Sequence, residues 1–143
     1  MRPEAESGAA RPGAVLARSG AMRLELTPME ALDLWRRVLV ASVRQAGPDL
    51  SARQLALLLT VFMTQGPHTV RGLAKFLNVS KPAVTRALDR LGRLGVLRRK
   101  RDASDRRSVL VQRTVKGAVF LRDFADHVTV VGRGLRDGDR HSP

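Results

Sequence analysis

The side chains able to do recognition chemistry are concentrated between Thr69 and Thr114. Val84, Ala87, Leu88, Leu91 and Leu94 recur at helical spacing, so the same stretch turns Lys81, Pro82, Thr85, Arg86, Asp89, Arg90 and Arg93 to the opposite side. A row dominated by cations is suited to phosphate oxygens and base edges. Just downstream, VLRRKR and RSVLVQR read as two strands around the polar tip Asp102-Ala103-Ser104-Asp105-Arg106. Narrow minor grooves attract inserted arginines, which makes Arg106 the candidate to enter one.

Other chemistries find no support. No His-Glu zinc motif, phosphate-binding glycine loop, Ser-x-x-Lys pair or nucleophile elbow is present, so catalysis is not expected. The few carboxylates are mostly flanked by arginines, as Asp102, Asp105 and Asp123 are, and read as ion-pair partners rather than acid-base groups. The absence of cysteine excludes a disulfide framework, a Cys-ligated zinc site and a thiol switch. His68 reads as a linker or core histidine, and His127 and His141 are too isolated to propose a metal site. No cofactor is expected.

The recognition row needs elements to position it. An apolar ladder at Val70, Leu73, Ala74 and Leu77 stops at Asn78, which tolerates a left-handed C-cap; the next helix opens after Ser80, an N-cap, and closes at Gly95. Two helices with so short a joint, followed by a basic hairpin, make a winged helix-turn-helix. Upstream, Thr27-Pro28-Met29-Glu30 is a capping box that opens a helix ending at Gly47-Pro48. Its positions Met29, Leu32, Trp35, Leu39 and Val43, with Leu34, Val38 and Val40 on other sides, form a wider stripe than one packing partner requires. The surplus reads as a dimer contact, the alternative being burial within one subunit. Ser51 and Gln54 open a scaffold helix through Leu55, Leu58, Leu59, Phe62 and Met63 to Gly66-Pro67, and His68-Thr69 lead into the reader. After the wing, Thr114 caps a last helix (Val115, Ala118, Val119, Leu121, Phe124, Ala125, Val128, Val131), a second candidate dimer element expected to end near Gly132-Arg133-Gly134. Met1 to Ala21 lacks periodicity and is expected to be disordered, as a solvated tail, a stretch ahead of a start at Met22, or a basic arm. The expected division is a disordered tail over 1–26, a dimerisation helix over 27–47, the winged helix-turn-helix over 48–114, a dimerisation helix over 115–132 and a disordered tail over 133–143.

Charge points to the partner. A chain of 143 residues, 43% hydrophobic, suffices for one domain with a real core, and its formal charge is +13. Residues 1–68 carry 8 basic and 6 acidic side chains, residues 69–117 carry 14 and 3, and residues 118–143 carry 4 and 4. So concentrated an excess is self-repelling unless it faces a polyanion, whose released counterions drive affinity. Four Phe, one Trp and no Tyr offer few stacking platforms for single strands, so double-stranded DNA is the expected partner. No apolar run approaches a membrane span and no signal-peptide core is visible, from which a cytoplasmic location and no membrane partner are expected.

The run VSKPAVTRALDRLGRLGVLRRKRDASDRRSVLVQRTVKG resembles the winged helix-turn-helix of the MarR family of bacterial transcription regulators, through the second helix, the break at Gly95, the D-x-x-D-R-R wing and the T-x-x-G opening of the next helix. The resemblance implies a mainly α fold with a small β-hairpin wing and N- and C-terminal dimerisation helices. It implies a homodimer, with Ser80, Lys81, Pro82, Thr85 and Arg86 at a major groove and Arg106 at a minor groove. It also pairs Asp89 with Arg107, or Arg106, to hold the wing to the helix. Arg90, Arg93 and Arg98 to Arg101 serve either solubility or phosphate contact. The function implied is sequence-specific regulation, as a homodimeric repressor of a pseudo-palindromic operator; the alternative is a nucleoid, architectural or RNA-binding winged helix. Thiol peroxide sensing, found in part of the family, is excluded here. Relatives hold small-molecule effectors in a cleft between dimer and reader, which leaves an effector open. The family commonly carries a longer C-terminal helical pair, so a larger share of the interface would fall to the first helix.

Overall fold

The computed structural model describes residues 25–138: α1 (Pro28–Arg44), α2 (Ala52–Met63), β1 (His68–Thr69), α3 (Val70–Leu77), α4 (Lys81–Arg93), β2 (Leu97–Arg101), β3 (Val109–Arg113) and α5 (Val115–Gly138). The expected N-terminal tail falls almost wholly outside that range; of the expected C-terminal tail only residues 139–143 do, and 133–138 are helix rather than a disordered tail. Helix starts follow the side chains that satisfy otherwise orphaned N–H groups. Thr27 with Glu30 and Ser51 with Gln54 form reciprocal capping boxes for α1 and α2, and Thr69 and Ser80 cap α3 and α4. Asn78 ends α3 in the left-handed region at φ 51°.

The reader closes on one core. Leu57, Leu58 and Val61 of α2 pack with Val70, Leu73 and Ala74 of α3, the inner face of α4 (Val84, Ala87, Leu88, Leu91), and Val96, Leu97 and Val111 of the wing. On α2 the buried face is rotated from the expected row. Leu55, Leu59 and Phe62 are half-buried and Met63 is 76% exposed, because LALLLTVFM is apolar on every side and its periodicity selects no face. The sheet has three antiparallel strands in the order β1-β3-β2. The lead-in pair His68 and Thr69 is thus a strand, opposite Val111 and Leu110; two residues are too few to show an alternation.

α1 packs against α5 and fully buries only Val38. The Met29, Leu32, Trp35, Leu39, Val43 row stays uncovered, with Trp35 at 53% exposure, so burial within the subunit does not account for it. α5 runs through Gly132 and Gly134 to Gly138, past its expected end. A helical glycine costs only about 1 kcal/mol relative to alanine, a penalty that the half-buried Val128, Val131 and Leu135, spaced for one face, can offset. Among the described residues no helix is long and apolar enough to cross a membrane.

Reader and last helix meet at a tight joint. Gly95, at φ 73°, ends α4, and the Val96 N–H donates back to the Leu91 carbonyl at 3.1 Å. The Thr114 hydroxyl donates to the Gly95 carbonyl at 2.7 Å and accepts from the Gly117 N–H at 2.9 Å. A Cβ on Gly117 would lie 2.1 Å from the Val96 carbonyl oxygen and 2.8 Å from the Phe62 ring. This close approach explains the T-x-x-G pattern: the threonine ties two elements together, and only a residue without a side chain fits beneath. Arg113, at the end of β3, donates to the Val61 and Thr64 carbonyls at 2.9 and 3.0 Å and lies over the Phe62 ring, capping the C-terminal end of α2. Gly117→Ala should therefore lower unfolding stability by roughly 1–3 kcal/mol, as overpacking does. Gly134→Ala on the same helix, where nothing lies within 4 Å of the added atom, should be neutral or stabilising in the same urea titration.

Candidate nucleic-acid interface

α4 presents its outer row because its inner row is fixed in the core. Lys81, Pro82, Arg86 and Arg93 are exposed, and Thr85, Asp89 and Arg90 are half-buried along the same side. The Ser80 hydroxyl accepts from the Ala83 N–H at 3.3 Å and keeps its own proton to donate. The Thr85 hydroxyl donates to the Lys81 carbonyl at 3.0 Å, leaving oxygen lone pairs free. The structure thus brings Ser80, Lys81, Pro82, Thr85, Arg86 and Arg90 onto one helix, with the wing beside it.

In the wing, β2 and β3 pair from Leu97 opposite Arg113 to Arg101 opposite Val109. The tip is closed by its own aspartates. Asp102 accepts from the Ser104 hydroxyl at 2.7 Å and N–H at 2.9 Å, and Asp105 accepts from the Arg107 N–H at 3.1 Å. These bonds correct the ion-pair reading of Asp102 and Asp105: a short side chain beside free backbone donors closes a turn more readily than it reaches an arginine head. The Ser104 hydroxyl and N–H, with a smaller contribution from the Asp105 N–H, hold the Asp102 carboxyl below its ordinary value. Its contribution to the folded tip is complete above the ordinary aspartate range and is lost as acid protonates it. Arg106 and Arg107 are exposed, and neither forms an ion pair with a described residue.

Asp89 pairs with Arg99 of β2, not with Arg107 or Arg106. The reason is strand alternation. Buried Leu97 faces the core under α4, and Arg99, two residues on, leaves the same face of the sheet and reaches the helix. The tip arginines lie beyond the end of the ladder. Period-two spacing from Leu97 was the signal that could have found Arg99. Sequence reasoning also missed Thr69 and Arg71, at the start of α3. The fold brings them to a groove of about 590 Å³ that includes Lys81, Thr85, Arg99 and Arg107. None of Arg71, Lys81, Arg86, Arg90, Arg93, Arg106 and Arg107 is in an ion pair among the described residues. Such an array can donate to many anionic oxygens at once. Its makeup does not suit metal binding, and among the described residues no group of three His, Asp or Glu side chains could hold an ion.

The family model described as the MarR family matches residues 50–109. Among solved structures, a mutant of S. aureus MepR aligns at a TM-score of 0.65 with 22% identity, over 80% of this chain and 85% of that one. The structure described as MarR aligns at 0.58 with 27% identity over 79% and 83%. FabT of Streptococcus pneumoniae, in complex with DNA, aligns at 0.60 with 24% identity over 76% and 78%. Comparison with curated proteins found no match.

The Asp89–Arg99 bridge is open to solvent, at 43% and 38% side-chain exposure, so its coupling should be small. A double-mutant cycle with Asp89→Asn and Arg99→Ala should give about 0.2–1 kcal/mol in urea unfolding. The same cycle with Arg107→Ala should give none, and coupling to Arg107 instead would overturn the assignment.

Proposed function

We propose that this chain, whose residues 50–109 are a MarR-family domain, is a double-stranded DNA-binding transcription regulator acting as a homodimer. The observation that carries this reading is the set of unpaired cations on one helix and the adjoining wing tip, backed by a core that fixes the helix's other side. Ser80, Lys81, Pro82, Thr85 and Arg86 face a major groove, Arg90 and Arg107 the DNA backbone, and Arg106 the flanking minor groove. FabT and S. aureus MepR, which share the fold, are described in complex with DNA, which supports a DNA partner for this chain.

The uncovered apolar row of α1 and exposed Val119 and Val130 of α5 support the dimer, since such a stripe is costly against water. Two-fold symmetry would set the recognition helices about 34–36 Å apart, one DNA turn, and so select a pseudo-palindromic operator. Repression then follows from occupying promoter DNA in the cytoplasm, the gene's own promoter included. A cleft of about 270 Å³ where α1 meets α5, lined by Ser42, Gln45, Phe120, Asp123, Phe124 and His127, is the place proposed for an effector, if one exists.

Footprinting DNA upstream of the gene at moderate salt tests the reading. A protected palindrome is expected, whereas equal affinity for random duplex would mark an architectural protein instead. Arg86→Ala should reduce discrimination among operator variants by about 1–3 kcal/mol while leaving non-specific affinity mostly intact; a uniform loss would reassign Arg86 to phosphate anchoring. Light scattering should find a dimer for the native chain and a monomer for Leu39→Glu, with operator binding lost in the monomer.

A further inference from the structure

We infer that the groove bounded by the start of α3, the start of α4 and the wing is a phosphate seat for the DNA backbone strand beside the major groove, with Arg71 and Arg107 as its jaws. The inference rests on the proposed function and names a contact that reads no bases. Its walls come from three separate elements, with Arg71 from α3, Lys81 from α4 and Arg107 from the wing, around a space of about 590 Å³. Two acids lie close by: Asp89 is paired with Arg99, while Asp105 lines the groove and keeps its charge, one carboxylate against Arg71, Lys81 and Arg107. Asp105 accepts from the Arg107 backbone N–H. Three cations converge, none of them in an ion pair among the described residues.

The hydroxyls fit an anion as well. The Thr69 Oγ1 accepts from the Gly72 N–H at 2.9 Å, so its proton is left to donate into the groove. A guanine edge also offers two acceptors, but it carries no formal charge and its paired cytosine adds a donor beside them, so it matches three cations and a donating hydroxyl less fully. A phosphodiester presents acceptors alone and a full negative charge, which suits them better. Arg71 stands on α3 rather than on the reading helix, so its contact would fix the register of the protein on the duplex without selecting sequence. It is a positioning residue.

Two measurements test this. Inorganic phosphate, titrated against chloride at constant ionic strength without DNA, should give saturable amide shifts centred on Thr69, Arg71, Thr85 and Arg107, and Arg71→Ala should abolish them. Shifts spread evenly over the basic surface would overturn the seat. With duplex DNA, Arg71→Ala should weaken operator and scrambled sequence by the same factor, roughly eightfold at about 0.1 M salt, and lower the salt slope by about 0.9, the value of one lost contact. Arg71→Lys should restore most of both. An unchanged slope, or a loss confined to operator, would overturn the assignment even if the native chain discriminates operator normally. Failure of the native chain to bind any duplex would instead sink the proposed function, and the phosphate titration would still report on the groove.

Discussion

The turn at Gly95 is the constraint on which the rest of the structure depends. There the backbone must enter the left-handed region, which a residue without a Cβ does at little cost. Three elements are fixed by that one turn: α4 stops, β2 starts two residues later as Val96 and Leu97 enter the core, and the Gly95 carbonyl receives the Thr114 hydroxyl that opens α5. The recognition surface and the helix that leads away from it are thus set relative to each other by backbone contacts. Long side chains could rotate and let the two drift. A carbonyl resting 2.1 Å from where a Cβ would stand on Gly117 cannot.

Charge is distributed with equal economy. The reader's basic excess does not all face outward: Arg113 is turned inward onto the end of α2, and Arg99 is held by Asp89. Asp102 and Asp105 are occupied in closing the tip. The cations left without an ion pair include those of α4, Arg71 at the first turn of α3 and the wing-tip arginines, and no polar side chain among the described residues is fully buried. The reader is therefore held together by apolar packing, with its electrostatics left for the surface.

Much of this was legible in the sequence because the signals are local. Capping boxes at Thr27 and Ser51, the left-handed cap at Asn78 and the helix start at Ser80 each depend on side chains within a few residues of the backbone they satisfy. The inner face of α4 was equally plain, since polar residues alternate cleanly with apolar ones. What was missed depends on packing between distant segments. The buried face of α2 is chosen by its neighbours, not by its uniformly apolar run. Arg71 comes to the groove only because α3 is folded against the wing. Asp89 found Arg99 because the strand beneath it set the geometry, while the conspicuous arginines were at the tip. Gly132 and Gly134 signalled a stop that packing on one face of α5 overrides.

One consequence of the closed wing tip concerns kinetics. A loop still searching its conformations when it meets a partner subtracts the entropy of its own ordering from the free energy of the complex, about 1–2 kcal/mol per residue fixed. Here the turn is already latched by Asp102 and Asp105 in the isolated chain. Under the proposed function, a partner held through the wing would be spared that cost, and the saving would appear chiefly as a slower departure from the complex. Acid strong enough to protonate the Asp102 carboxyl would loosen that latch and restore the search.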